Sequence, residues 1–299
     1  MKILFLILIT ISLSAKLINY DIKPKNLKSN IFMKIKILDS CELIFENLNE
    51  LSALAYKKDK LYALSNRGYL YRFKLKIKNN KIKNLTLEKA MKLKNKNGKK
   101  LKKKYRDSEG MVFVDDELYI SFERKPRINI FDLNGKKLRN YKIVKKLRNI
   151  KNYQGKNKAL ESIAYSKKYA IITAPELPLL ANNKALHVAY TKKKLFKFKA
   201  TASLSAIEFI DDDRILTLEK SFNYFTRKRV LTLKEVDLSK MKNGVCYSKI
   251  LATLDSSDGW NLDNFEGLTK VSKNRFLMVS DDNRNIFQKT LLVLFEILD

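Results

Sequence analysis

Histidine occurs once in the 299 residues, as His187; tryptophan also occurs once, cysteine twice, proline four times and glycine eight times. One imidazole excludes a multi-histidine metal centre, and a Ser-His-Asp hydrolase would have to use that single ring. Acid is scarce as well: 31 Asp plus Glu stand against 62 Lys plus Arg, a formal charge of +31. Such a charge invites a nucleic-acid partner. The bases, however, are mostly Lys, lie scattered, and form neither a recognised motif nor a basic helix, so no nucleic acid is expected. Beyond the N terminus no stretch reaches ~18 uncharged apolar residues, so no transmembrane segment is expected. What is present is enough apolar material, 45% hydrophobic and 10% aromatic, to build a core and to exclude wholesale disorder.

Residues 1–15, MKILFLILITISLSA, place one Lys before an apolar run that ends in small residues. That pattern predicts a signal peptide, with residues 16–299 forming the mature domain in an exported compartment. Oxidising surroundings would permit Cys41 and Cys246 to form a disulfide; two buried thiols are the alternative.

The sequence repeats. Ser52–Asn66, Glu109–Glu123 and Ser205–Glu219 align without a gap, and Glu161–Glu176 and Glu266–Asp281 join them with one inserted residue. Each copy reads as an apolar strand, a polar turn and a second apolar strand, followed by further strand-like runs rich in Tyr, Phe, Val and Ile. Repeats of this size without intervening helical patterns predict an all-β fold, a single β-propeller. The count argues for five blades and leaves room for a sixth. The unpaired strand-like segment 31–45 is expected to complete the last blade and close the ring, leaving no open edge there. It would also make Cys41 and Cys246 residents of neighbouring blades.

In a hairpin the start of one strand lies beside the end of the next. The pairs expected side by side are Ser52 with Asn66, Glu109 with Glu123, Glu161 with Glu176, Ser205 with Glu219, and Glu266 with Asp281. In a propeller these ten positions meet at one mouth of the central channel, and seven are carboxylates. Crowded carboxylates repel unless a cation or base neutralises them. Ca2+, a hard ion that takes six to eight oxygens, is the expected cofactor. The bland alternative is that the acids bond backbone amides or the bases Arg67, Arg124, Lys220 and Arg284 that follow them.

The phrases Asp-Ser-Glu-Gly-Met (107–111), Glu161-Ser-Ile-Ala, Leu218-Glu-Lys220, Asn-Phe-Glu-Gly-Leu (264–268), Val-Ser-Asp-Asp-Asn (279–283) and Gln288-Lys-Thr-Leu-Leu occur in a characteristic order. Together they resemble the phytase-like, "esterase-like activity of phytase" domain of exported bacterial proteins. The resemblance covers roughly residues 48–299. It implies a β-propeller related to calcium-dependent phosphomonoesterases, in the periplasm or outside a Gram-negative cell. On that reading Glu109, Glu161, Glu266, Asp281 and Asp282 hold metal at the mouth. Glu123, Glu176 or Glu219 acts as general base or further ligand. Arg67, Arg124, Lys220 and Asn66 contact an anionic small-molecule ester, bound by a monomer. The rival readings are a non-catalytic envelope module with a structural metal, and a serine esterase using Ser52 or Ser205. His187 reads as an outer-strand packing residue, away from the channel. The basic run 92–106 reads as a solvated loop.

Overall fold

The computed structural model describes residues 15–45, 48 and 50–298. Of the expected signal peptide only Ala15 is among them. Four-stranded antiparallel meanders follow one another along the chain. The first comprises Leu51–Lys57, Lys60–Ser65, Tyr69–Lys78 and Lys81–Lys92; the second Ser108–Val114, Glu117–Phe122, Arg127–Phe131 and Lys137–Tyr141. The third comprises Leu160–Ser166, Ala170–Pro175, Leu186–Tyr190 and Leu195–Lys199; the fourth Ser203–Phe209, Arg214–Phe222, Arg229–Lys242 and Val245–Asp255. One parallel bridge, Lys197 to Val245, joins the third and fourth into a single sheet.

The last sheet takes three strands from the C-terminal end, Asn264–Ser272, Arg275–Asp281 and Leu291–Ile297. Its fourth is the N-terminal strand Ile35–Ile44, antiparallel to Leu291–Ile297 with Cys41 opposite Leu292. This is the predicted closure. Lys16–Asn19 caps the outer edge of the closing strand. The first strand of each meander packs against the first strand of the next, and Asn264–Ser272 packs back on Leu51–Lys57. The fold is therefore a closed β-propeller with its inner strands around a central axis.

Because each sheet is sandwiched between two others, both of its faces are buried, and the inner strands read as continuous apolar runs rather than alternating ones. In Arg275–Asp281, Phe276 and Met278 enter the core shared with the fourth sheet, while Leu277 and Val279 enter the core shared with the first. Tight turns join the strands. Lys58 and Asp59, at φ 47° and 62°, make the two-residue left-handed connection that matches strand twist.

The same two-faced geometry separates the cysteines. Cys41 lies in the core between the last and first sheets, and Cys246 in the core between the third and fourth. Their blades are neighbours, but the two thiols sit on the faces turned away from each other. Of the two readings of the cysteines the structure shows the second: both are free and buried, and burial pushes them up to about 12 and about 11 respectively.

Candidate active site

Every inner strand begins with a β-bulge. The ladders skip from Leu51 to Ala53, Ser108 to Gly110, Leu160 to Ser162, Leu204 to Ala206 and Phe265 to Gly267. The skipped residues are Ser52, Glu109, Glu161, Ser205 and Glu266. A bulge re-aims its extra side chain, and these five converge on a small axial void of about 10 Å³. The glycines after two of them are explained by crowding around the axis. A Cβ on Gly110 would stand 2.7 Å from Ser121 Oγ and 2.8 Å from the Glu161 carbonyl oxygen. On Gly267 it would stand 2.7 Å from Val279 Cγ1.

The bulges also change the expected partners. Glu123 lies across from Asp107, whose carbonyl accepts its N–H at 3.0 Å, and Glu176 lies across from Ala159 at 2.9 Å. Asn66 pairs likewise with Glu50 at 3.0 Å, and Asp281 is opposite Asn264. In the fourth sheet the hairpin turn is one residue longer than in the second: Phe209 pairs with Ile215, where Phe113 pairs with Leu118. Lys220, opposite Ser203, therefore takes the mouth position that the gap-free alignment gives to Glu219.

Glu219 is turned into its own blade and does not face the channel. It is buried, its Oε1 accepts from Lys234 Nζ at 2.7 Å, and its Oε2 accepts from the N–H groups of Thr201 and Ala202 at 2.7 and 3.1 Å. Although burial opposes ionisation, His187 and Lys234 outweigh it and hold Glu219 down at about 2. His187 is likewise buried, with Nε2 2.8 Å from the Ala202 carbonyl and 3.7 Å from Glu219. Expected as an outer-strand packing residue, it packs inside the blade against Phe198. Neither residue lines the cavity, so the general-base role anticipated for Glu219 is not supported. The serine esterase reading loses its imidazole. Ser52 Oγ is already committed to the Ser108 carbonyl at 2.7 Å, and Ser205 Oγ is buried with no partner among the described residues.

What the mouth does hold is a cavity of about 870 Å³. Carboxylate oxygens of Asp107, Glu109 and Glu123 lie within 4.8 Å of one another, as do those of Glu123, Glu161 and Glu176. Glu123 belongs to both groups. Burial pushes Glu109 well above the usual carboxylate range, and Glu161, Glu266, Glu123 and Asp107 all push it further. Glu161 is raised the same way by burial and then by Glu176, Glu266 and Glu123, against a smaller pull from Lys220. Burial and Asp107 push Glu123 up to about 8, with the Ala159 N–H opposing; burial and Glu266 do the same to Asp281, also about 8.

Glu266 is in a different situation. Lys220 Nζ donates to Glu266 Oε1 at 2.6 Å and to Asn264 Oδ1 at 2.9 Å. Burial would lower the Lys220 ammonium, but Glu266, Glu161 and Glu176 outweigh it and hold it raised. The mouth thus has one half around Glu123, whose outer acids Asp107 and Glu176 pair with Arg124 and Lys158, and another in which Lys220 pairs with Glu266. Asp282 stands outside both, accepting from the N–H groups of Glu50 and Arg284 at 3.0 Å and from Thr290 Oγ1 at 3.0 Å; it shapes a loop and does not line the cavity. Arg67 also lies off the cavity, ion-paired to Glu50. Asn66 and Arg124 line it, Arg124 paired to Asp107 at 2.7 Å.

Asp107 and Lys158 are among the lining residues that escaped the sequence reading. Asp107 was visible in Asp-Ser-Glu-Gly, but only the bulge brings it level with Glu123. Lys158, 2.7 Å from Glu176 Oε1, comes from the loop before the third meander and had no signal.

A family model described as phytase-like, "esterase-like activity of phytase", matches residues 46–284. No curated protein matches the chain in sequence. Among solved structures, the PQQ-bound aldose sugar dehydrogenase of Streptomyces coelicolor is similar at 9% identity and a TM-score of 0.49, covering 88% of this chain and 98% of that one. YCF48 from Cyanidioschyzon merolae is similar at 11% identity and a TM-score of 0.40, covering 86% and 85%. A chain of the mitotic checkpoint complex is similar at 8% and 0.39, covering 83% of this chain but 62% of its own length. At these scores none bears on function.

Proposed function

The chain belongs to the phytase-like family, and from that premise we propose that it is a calcium-dependent phosphoester hydrolase of the periplasm whose active site is the acidic mouth. One observation carries the reading: two carboxylate triads, buried except for the half-buried Asp107, share Glu123, and the bases Arg124 and Lys158 pair only with their outer acids Asp107 and Glu176. Oxygens that share one Ca2+ at 2.3–2.6 Å lie at most about 5 Å apart, so each triad fits one ion. The raised carboxyls fit as well, because burying them together is costly until a cation arrives. The apolar N-terminal sequence supports the location.

Asp107, Glu109 and Glu123 would hold one position, and Glu123, Glu161 and Glu176 the other. Bound Ca2+ would polarise a phosphoryl oxygen and acidify a water. Arg124 and Lys158, each paired to a triad acid at 2.7 Å, are at hand to bind phosphate oxygens as charge-assisted donors. Lys220 keeps Glu266 neutralised and adds positive charge at the far wall. Asp281 lines the cavity outside the triads, and burial with Glu266 raises it to about 8, which makes it the candidate donor of a proton to the departing alcohol oxygen. An aryl phosphate and an aryl carboxylate ester, assayed side by side with Ca2+ and with chelator, test the proposal. Phosphate ester cleavage that chelator abolishes is expected. Cleavage of the carboxylate ester alone would overturn it.

A further inference from the structure

Two adjacent loops at the mouth hold large apolar side chains out in solvent. One joins the second and third strands of the fourth sheet and carries Tyr224 and Phe225, 78% and 99% exposed. The other makes the same connection in the last sheet and carries Ile286 and Phe287, 90% and 87% exposed. Tyr224 and Arg227 line the cavity on one side, and Asn283 and Asn285 on the other, so the tips stand around one opening. The loops are closed turns. Asn223 Oδ1 accepts from the N–H groups of Phe225 and Thr226 at 2.9 and 3.1 Å, and Asn285 Oδ1 accepts from Phe287 N–H at 3.1 Å. These bonds fix the tips outward, where water gives apolar surface no return.

The surroundings are basic. Arg227 in the first loop, Lys125 in the corresponding loop of the second sheet and Lys156 in the connection before the third are exposed, while Lys228 is half-buried and pairs with Asp255 at 2.7 Å. They belong to a chain of formal charge +31. Separated apolar tips among cations suit a surface that is anionic outside and apolar a few ångströms down; they do not form the continuous groove that a peptide needs.

We propose that this face docks on an anionic lipid surface, with Phe225, Ile286 and Phe287 inserted at the headgroup level and the rim bases against lipid phosphates. The cavity then opens directly onto the membrane. Docking needs no catalysis, so it stands or falls separately from the hydrolase reading.

The test is co-sedimentation of the full chain with phosphatidylglycerol–phosphatidylcholine vesicles and with phosphatidylcholine vesicles. Binding is expected to the anionic vesicles only, to weaken with salt, and to fall about tenfold or more in Phe225→Ser/Ile286→Ser/Phe287→Ser while Tm is unchanged. Phe225→Trp supplies a second readout, since its fluorescence should shift to the blue on adding anionic vesicles. Absence of vesicle binding, full binding by the triple variant, or self-association without lipid that the triple variant abolishes would each overturn the proposal.

Discussion

Loading the mouth with Ca2+ should expel protons. Glu123 ionises at about 8, so at pH 7 it is about nine-tenths protonated, and one metal ligand must lose a proton to bind. Burial and the neighbouring carboxylates raise Glu109 and Glu161 well above the usual carboxylate range too. Binding at both triads at pH 7 should therefore release protons, at least about one from Glu123 alone, and the apparent affinity should climb from pH 6 to 8. Calorimetric titration in two buffers of different ionisation enthalpy measures the release directly. The same groups set the stability of the metal-free protein. Carboxyls raised in the folded state stabilise it fully below about pH 4, and that contribution is lost as pH rises through 8. Raising one carboxyl from its usual range to about 8 corresponds to roughly 5 kcal/mol. Metal-free Tm should fall across this range, and Ca2+ should restore it. Identical heats in the two buffers, or an affinity flat between pH 6 and 8, would refute the reasoning.

Glu219→Gln should cost about 3–5 kcal/mol by stranding the Lys234 ammonium, read as a lower Tm with Ca2+ affinity preserved. Its contribution has the opposite pH sense: Glu219 is held at about 2, so the stabilisation is present above pH 4.5 and lost as pH falls through 2. Gly110→Ala should destabilise by about 1–3 kcal/mol in chemical denaturation, because its Cβ meets backbone of the neighbouring inner strand. A thiol reagent should find no reactive cysteine in the native protein and two after denaturation without reductant; one disulfide on a non-reducing gel would contradict the placement of Cys41 and Cys246.

The propeller was legible because its repeats begin with marked residues, and the closing strand because segment 31–45 had no partner of its own. The mouth was legible in part. Glu109, Glu161 and Glu266 come together because one bulge recurs at equivalent positions, and a recurrent bulge leaves a recurrent residue. What failed was local. A bulge leaves no trace in residue spacing, so the ladder partners of Glu123 and Glu176 came out two residues off. One extra turn residue between Phe209 and Ile215 exchanged Glu219 for Lys220, adjacent in sequence but opposite in charge and on opposite sides of the strand. The cysteines stayed undecided for a related reason, since blade order can be read from repeats while the face of a doubly buried strand cannot.

The central claim is that Glu123, shared by both triads, builds the metal site on which phosphate release depends. Phosphate release from an aryl phosphate, measured for wild type and Glu123→Gln across a Ca2+ series, tests it most directly. The account predicts Ca2+-dependent release by wild type and loss of both the release and its Ca2+ response in the variant. Release that persists in chelator, or an unaltered Ca2+ response in Glu123→Gln, would contradict it.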